Sequence, residues 1–160
     1  MKRRLIFESI LIAYGAILIK LVVFKNIQLK IGPLRFRFTA RGARQANLLP
    51  FKTILGYLLG EHGQMMAIVN LLGNIALFVP VGFLVPFVYR TMMWQESIAL
   101  GVAVGLTMEG MEMVFRVGIF DIDDVILNAL GVMFGYRAFT LFVKRMRPSK
   151  SSRSYLSETP

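Results

Sequence analysis

Cysteine is absent from the 160 residues, and histidine occurs once, at His62. These two lacks exclude a disulfide framework, a thiolate nucleophile, Cys-based zinc or iron–sulfur sites and any His-rich metal site. Charge is scarce as well: charged residues make up 18% of the chain, against about 25% in an ordinary soluble domain. Acids are scarcer than bases, with nine Asp and Glu against nineteen Lys and Arg and a formal net charge of +10. No Walker A, dinucleotide fingerprint, G-x-S-x-G or H-E-x-x-H occurs, so there is no recognisable catalytic motif, and no cofactor is expected. What fills the chain is apolar side chain, 56% of residues, with a mean hydropathy of +0.61. Too little polar surface remains to coat a soluble globule, and the same composition excludes disorder and collagen-like structure. The sequence is that of a single-domain integral membrane protein.

A bilayer core about 30 Å thick needs about 20 mostly apolar residues in a spanning helix. Four segments meet that length: 5–24, 67–89, 97–115 and 125–143. The first carries Lys20 close enough to its end to snorkel. Its flank Met1-Lys2-Arg3-Arg4 resembles a signal-peptide n-region, but the apolar run is long for one and Val22–Asn26 offers no small-residue cleavage site, so an uncleaved helix is expected. The second holds Pro80 and Pro86, which predict a kink. These segments predict an all-α membrane protein, an antiparallel bundle of about four transmembrane helices occupying residues 1–146. The connector 25–66 carries period-two alternation over Gln28–Thr39 around Gly32-Pro33, which predicts a surface hairpin. It also carries an apolar run over Phe51–Leu59, too short to span, which predicts an interfacial or re-entrant helix. Residues 147–160 form a basic tail expected to be disordered. Cations divide almost evenly between the two sides; the basic tail and the flank of the first helix favour cytoplasmic termini. Because the cations flank the apolar segments, membrane lipids rather than nucleic acid are the expected partners.

In such a bundle, the start of the second segment, the end of the third and the start of the fourth share one leaflet. At a rise of about 1.5 Å per residue, Asn70 and Asn74 lie roughly 5 and 10 Å inside the membrane edge. Glu112 and Glu109 lie roughly 5 and 9 Å inside, and Asn128 about 5 Å. The loop with Arg116, Asp121, Asp123 and Asp124 caps the same end, as do Asn47 and Pro50 of the connector. Ionisable groups in a bilayer cost roughly 2.5–3.5 kcal/mol each on insertion scales, so they pair or do work. Spacing suggests a Glu112–Arg116 pair at i,i+4, a helix N-cap at Asp121 or Asp123, and an Asp124–Asn128 pair one turn apart. The cluster is therefore either a network that locks three helices together or a shallow site for a lipid headgroup, an ion or a proton. Asp121-x-Asp-Asp lacks any ordered ligand spacing, so no metal is expected. Two GxxxG stretches, Gly101 to Gly105 and Gly131 to Gly135, favour packing of the third segment on the fourth over a homodimer. Trp94 and Tyr89 read as interfacial anchors and the ten Met residues as core filling.

The same polar residues carry a family resemblance. Asn47-Leu-Leu-Pro50-Phe51-Lys-Thr-Ile54 and Asn70-Leu-Leu-Gly73-Asn74, followed by Phe78, Pro80, Gly82 and Pro86, resemble the two N-terminal motifs of VanZ-like bacterial membrane proteins. Glu109-x-x-Glu112-x-x-x-Arg116, then Phe120-Asp121-Ile-Asp123-Asp124 and Asn128 through Gly131, Gly135 and Tyr136, resemble the third. The resemblance implies a multi-pass cell-envelope protein of the bacterial plasma membrane, in a family associated with resistance to the glycopeptide teicoplanin. It carries over Asn70, Asn74, Glu109, Arg116, Asp121, Asp124 and Asn128; Glu112 stands where the family usually has Gln and adds a second carboxylate. The leading expectation is a polar cluster that binds a membrane amphiphile (a lipid, a lipid-linked wall precursor or a lipoglycopeptide), with Arg116 holding a phosphate or carboxylate. A structural or assembly role, a membrane enzyme acting on a lipid headgroup or lipid-linked precursor with Glu109 or Glu112 as general base, and an oligomeric ion-coupled carrier follow in that order.

Overall fold

The computed structural model describes residues 2–23, 46–60 and 64–146. They form α1 (Lys2–Val22), α2 (Lys52–Leu58), α3 (Gln64–Val88), α4 (Trp94–Val114) and α5 (Ile122–Met146). Four of these helices are long and apolar enough to cross a membrane, over Arg4–Val22, Ala67–Val88, Trp94–Val114 and Ile122–Met146. The fold is thus all-helical, and among the described residues its only β feature is an isolated parallel bridge between Asn47 and Asp121. The hairpin expected over Gln28–Thr39, His62 and the tail 147–160 lie outside the described residues.

Apolar runs become helices in hydrocarbon because each backbone N–H and C=O must find its partner within the segment. Helix α3 runs through both Pro80 and Pro86 without interruption. Helix α4 begins where the Glu96 carboxylate, favoured at the positive end of the helix, accepts the Met93 N–H at 2.8 Å. At the start of α5 the Asp121 side chain accepts the Asp123 N–H at 2.9 Å, which makes Asp121 the N-cap.

Helix α5 is the centre of the bundle. It packs along both α3 and α4, which scarcely touch each other, while α1 docks on α3. The packing of α4 on α5 expected from the paired GxxxG spacings is present, and the glycines divide between two contacts. Gly101 and Gly105 do face α5, where an added Cβ would meet the Cα atoms of Ala129 and Val125. Gly131 and Gly135 face α3 instead: a Cβ on Gly135 would lie 2.0 Å from the Val79 carbonyl oxygen. Gly82 of α3 answers from the other side, with its missing Cβ at 1.9 Å from the Val132 oxygen. A GxxxG spacing states that one helix face is flat, but not which neighbour it receives. Leu18, Phe78, Val81, Met108 and Val132 are among the buried side chains of the core that α1, α3, α4 and α5 share. At the end of the bundle away from the polar residues, the Phe7 ring of α1 stacks on Phe87 of α3 with centroids 4.3 Å apart, and Phe83 and Phe139 meet edge to face.

Candidate functional site

The polar end is organised by three acids within four residues, Asp121, Asp123 and Asp124, that serve different partners. Asp121 caps α5 with its own carboxylate, which also accepts hydrogen bonds from the Asn47 amide at 3.0 Å and the Thr53 hydroxyl at 2.6 Å. Its backbone N–H donates to Glu109 Oε2 on α4 at 2.9 Å. The bridge beside it pairs the Asn47 N–H with the Phe120 oxygen and the Ile122 N–H with the Asn47 oxygen, at 2.8 and 3.0 Å.

With Asp121 as the cap, Asp123 is free for another partner: its fully buried carboxylate reaches across to α2, where it accepts the backbone N–H groups of Phe51, Thr53 and Ile54, the latter two at 2.7 and 3.1 Å. A helix start exposes several N–H groups with no intrahelical acceptor, and an anion there meets both those donors and the positive dipole end. Phe51 turns the chain into α2 through a left-handed φ of 66°, a conformation that costs a bulky residue energy and that the Asp123 clamp holds in place. The Asn47 amide also donates to the Thr53 hydroxyl at 2.8 Å, so Asn47, Thr53, Asp121 and Asp123 form one clasp between α2 and α5.

Asp124 faces α3 and accepts the Asn74 amide at 2.6 Å. Asn70, one turn earlier on α3, donates to the Tyr57 hydroxyl of α2 at 2.8 Å. Glu109 and Glu112 are both buried. Glu112 Oε2 lies so close over Gly118 that a Cβ there would be 1.7 Å away, so the second carboxylate tucks beneath the loop that joins α4 to α5. The Glu112–Arg116 pairing expected at i,i+4 needs a helix that continues through Arg116. Helix α4 ends at Val114, and Arg116 adopts a left-handed φ of 55° with its side chain exposed. Asn128 is 2% exposed, and its Oδ1 has no hydrogen-bond partner among the described residues.

Of the eight expected site residues, the structure therefore links Asn74 with Asp124, Glu109 with Asp121 and Asn70 with α2. It buries Glu112 and Asn128 nearby on α4 and α5 and leaves Arg116 at the rim. Among the described residues no three His, Asp or Glu side chains converge on a point that could hold a metal ion. Local spacing gives no sign of Thr53 and Tyr57 in this network, and it places Asp123 there without its partner on α2. The signal for Asp123 was present but ambiguous, since an Asp beside a helix start caps whichever start its carboxylate faces. Below α2 an apolar surface adjoins the cluster, for Leu48, Leu49, Phe51, Leu55, Leu58 and Leu59 are all exposed.

The family profile described as VanZ/LLP1 matches residues 11–143, from within α1 to near the end of α5. The chain belongs to the VanZ-like family. Protein VanZ of Enterococcus faecium is 28% identical over 150 residues, which cover 94% of this chain and 83% of that protein. No solved structure matches the chain. The matched region of this VanZ-like membrane protein contains every residue of the polar end, with α2 and its clasp to α5.

Proposed function

We propose that this VanZ-like protein is a cell-envelope protein of the bacterial plasma membrane that binds a membrane amphiphile at its polar end, through Asn70, Asn74, Glu109, Glu112, Arg116, Asp121, Asp124 and Asn128. By that binding it confers tolerance to glycopeptide or lipoglycopeptide antibiotics of the teicoplanin type. The observation that carries this reading is the adjacency of two surfaces. A cluster of buried polar groups, including Glu109, Glu112 and Asn128, lies beside the exposed leucines of α2, and an amphiphile presents both kinds of surface at once. The name Protein VanZ, borne by the Enterococcus faecium relative, supports the antibiotic clause. Arg116 at the rim is placed to meet a phosphate or carboxylate.

A second reading has its own observation. Asp121 and Asp123 accept six hydrogen bonds between them from Asn47, Phe51, Thr53, Ile54 and the first turn of α5. Those two carboxylates therefore fit a structural clasp, and binding falls to the residues around them.

Native mass spectrometry of the protein released from its own membrane tests the binding reading. Wild type is compared with the Glu109→Gln/Asp124→Asn variant, whose side chains keep acceptor oxygens for the Asp121 N–H and the Asn74 amide. A defined amphiphile retained by wild type and lost by the variant at matched thermal stability is the expected result, together with a lower teicoplanin tolerance of cells carrying the variant. Identical lipids on both proteins would reduce the cluster to a structural lock.

A further inference from the structure

We infer that the head group taken up at the polar end is a hydrogen-bond donor, a hydroxyl-rich glycosyl group, and that the Asn128 carbonyl oxygen is its innermost acceptor. The inference rests on the amphiphile-binding reading and adds the chemistry of the head. Asn128 is 2% exposed with Oδ1 unpartnered among the described residues, and a buried amide oxygen without a donor is rare enough in folded proteins to need a reason. Its position supplies one. Each residue turns a helix by about 100°, which sets Asn128 between the side of α5 that receives α3 (Asp124, Gly131) and the side that receives α4 (Val125, Ala129). It stands one turn deeper than Asp124, at the junction of three helices two of which scarcely touch.

A second orphan has the same polarity. The Asn47 amide gives both its hydrogens, to Thr53 and to Asp121, and its Oδ1 is buried without a partner among the described residues. Neither orphan is a donor; both are carbonyl oxygens. An anionic head would bring more acceptors to them, whereas a hydroxyl brings the proton each one lacks. Arg116, the cation placed to attract an anion, is exposed at the rim rather than turned toward Asn128's depth in the bundle. The anion-binding role therefore stays at the entrance, and the interior selects for hydroxyls.

Asn128→Leu removes the unpartnered oxygen together with the amide hydrogens. The same substitution should lower retention of a diglycosyl diacylglycerol about tenfold in native mass spectrometry, as expected when a buried hydrogen bond to the ligand is lost. A probe-side arm makes the test independent of how the variant folds. Wild-type protein is offered the same glycolipid with the head-group hydroxyls replaced by fluorine, which changes the size little and removes the donors. Weaker retention of the fluorinated lipid supports the inference. Equal retention overturns it while the amphiphile reading survives; retention of no amphiphile of any kind overturns both. Competition with teicoplanin separates the two sources of a glycosyl group: displacement of the glycolipid assigns the site to the sugars of a glycopeptide, and its persistence assigns it to an envelope glycolipid.

Discussion

The two ends of this bundle are held by different physics. At one end rings meet: Phe7, Phe83, Phe87 and Phe139 stack or meet edge to face, and each contact joins or lies within apolar helices. At the other end backbone and side-chain hydrogen bonds tie α2, α3, α4 and α5 through Asp121, Asp123 and Asp124. Within a bilayer a leucine gains little by leaving lipid for another helix, so apolar area cannot set helix positions by itself. Shape does it at the ring end and hydrogen bonding at the polar end. The glycine contacts in between let α3, α4 and α5 approach closely enough for both to operate.

The largest effect is expected where backbone meets backbone. A valine at Gly135 would place its Cβ 2.0 Å from the Val79 carbonyl oxygen, an atom that cannot move without moving α3. Gly135→Val should separate α3 from α5 and fail to give a monodisperse protein in mild detergent. Gly110→Val, at a position where a Cβ meets nothing within 4 Å, should leave the elution profile unchanged. A monodisperse Gly135→Val protein of normal melting temperature would mean that the α3–α5 contact does not set the assembly.

Asp123→Ala is next. It leaves the N–H groups of Phe51, Thr53 and Ile54 without their anion, and hydrogen bonds to a charged group contribute about 1.5–3 kcal/mol each. Water and lipid head groups replace part of that loss at the membrane edge, so a net cost of about 3 kcal/mol is expected. Its signature is local: faster hydrogen exchange over residues 51–60, with the rings at the opposite end undisturbed. Uniform loss of protection along α3 and α5 would show instead that the clasp holds the whole bundle together.

The fate of Asp123 marks how far the sequence could be read. Spans announce themselves because a bilayer sets one length and demands apolar side chains along all of it, and each long helix was found in that way. The depth of Asn70, Asn74, Glu109, Glu112 and Asn128 followed from rise per residue alone. Partner choice did not. Asp123 pairs with residues about seventy positions away, and Arg116 lies past a helix end that moved it out of register with Glu112. Each miss has one cause: local spacing defines which face a side chain occupies, while tertiary packing decides what stands opposite that face.

The smallest expected effect discriminates most sharply between support and function. Asn74→Leu removes one interhelical hydrogen bond, to Asp124, and such bonds in membrane bundles average about 0.6 kcal/mol. That corresponds to a melting shift of about 1–3 °C, too small for Asn74 to be needed as a lock. If the polar end is only structural, the variant should resemble wild type in every other respect. If it binds an amphiphile, the loss of the amide that orients Asp124 should weaken lipid retention and teicoplanin tolerance far more than it weakens the fold. Measuring melting temperature and retention on the same preparation separates these outcomes, because a shared small loss in both leaves Asn74 a brace between α3 and α5, and a disproportionate loss in retention makes it part of the site.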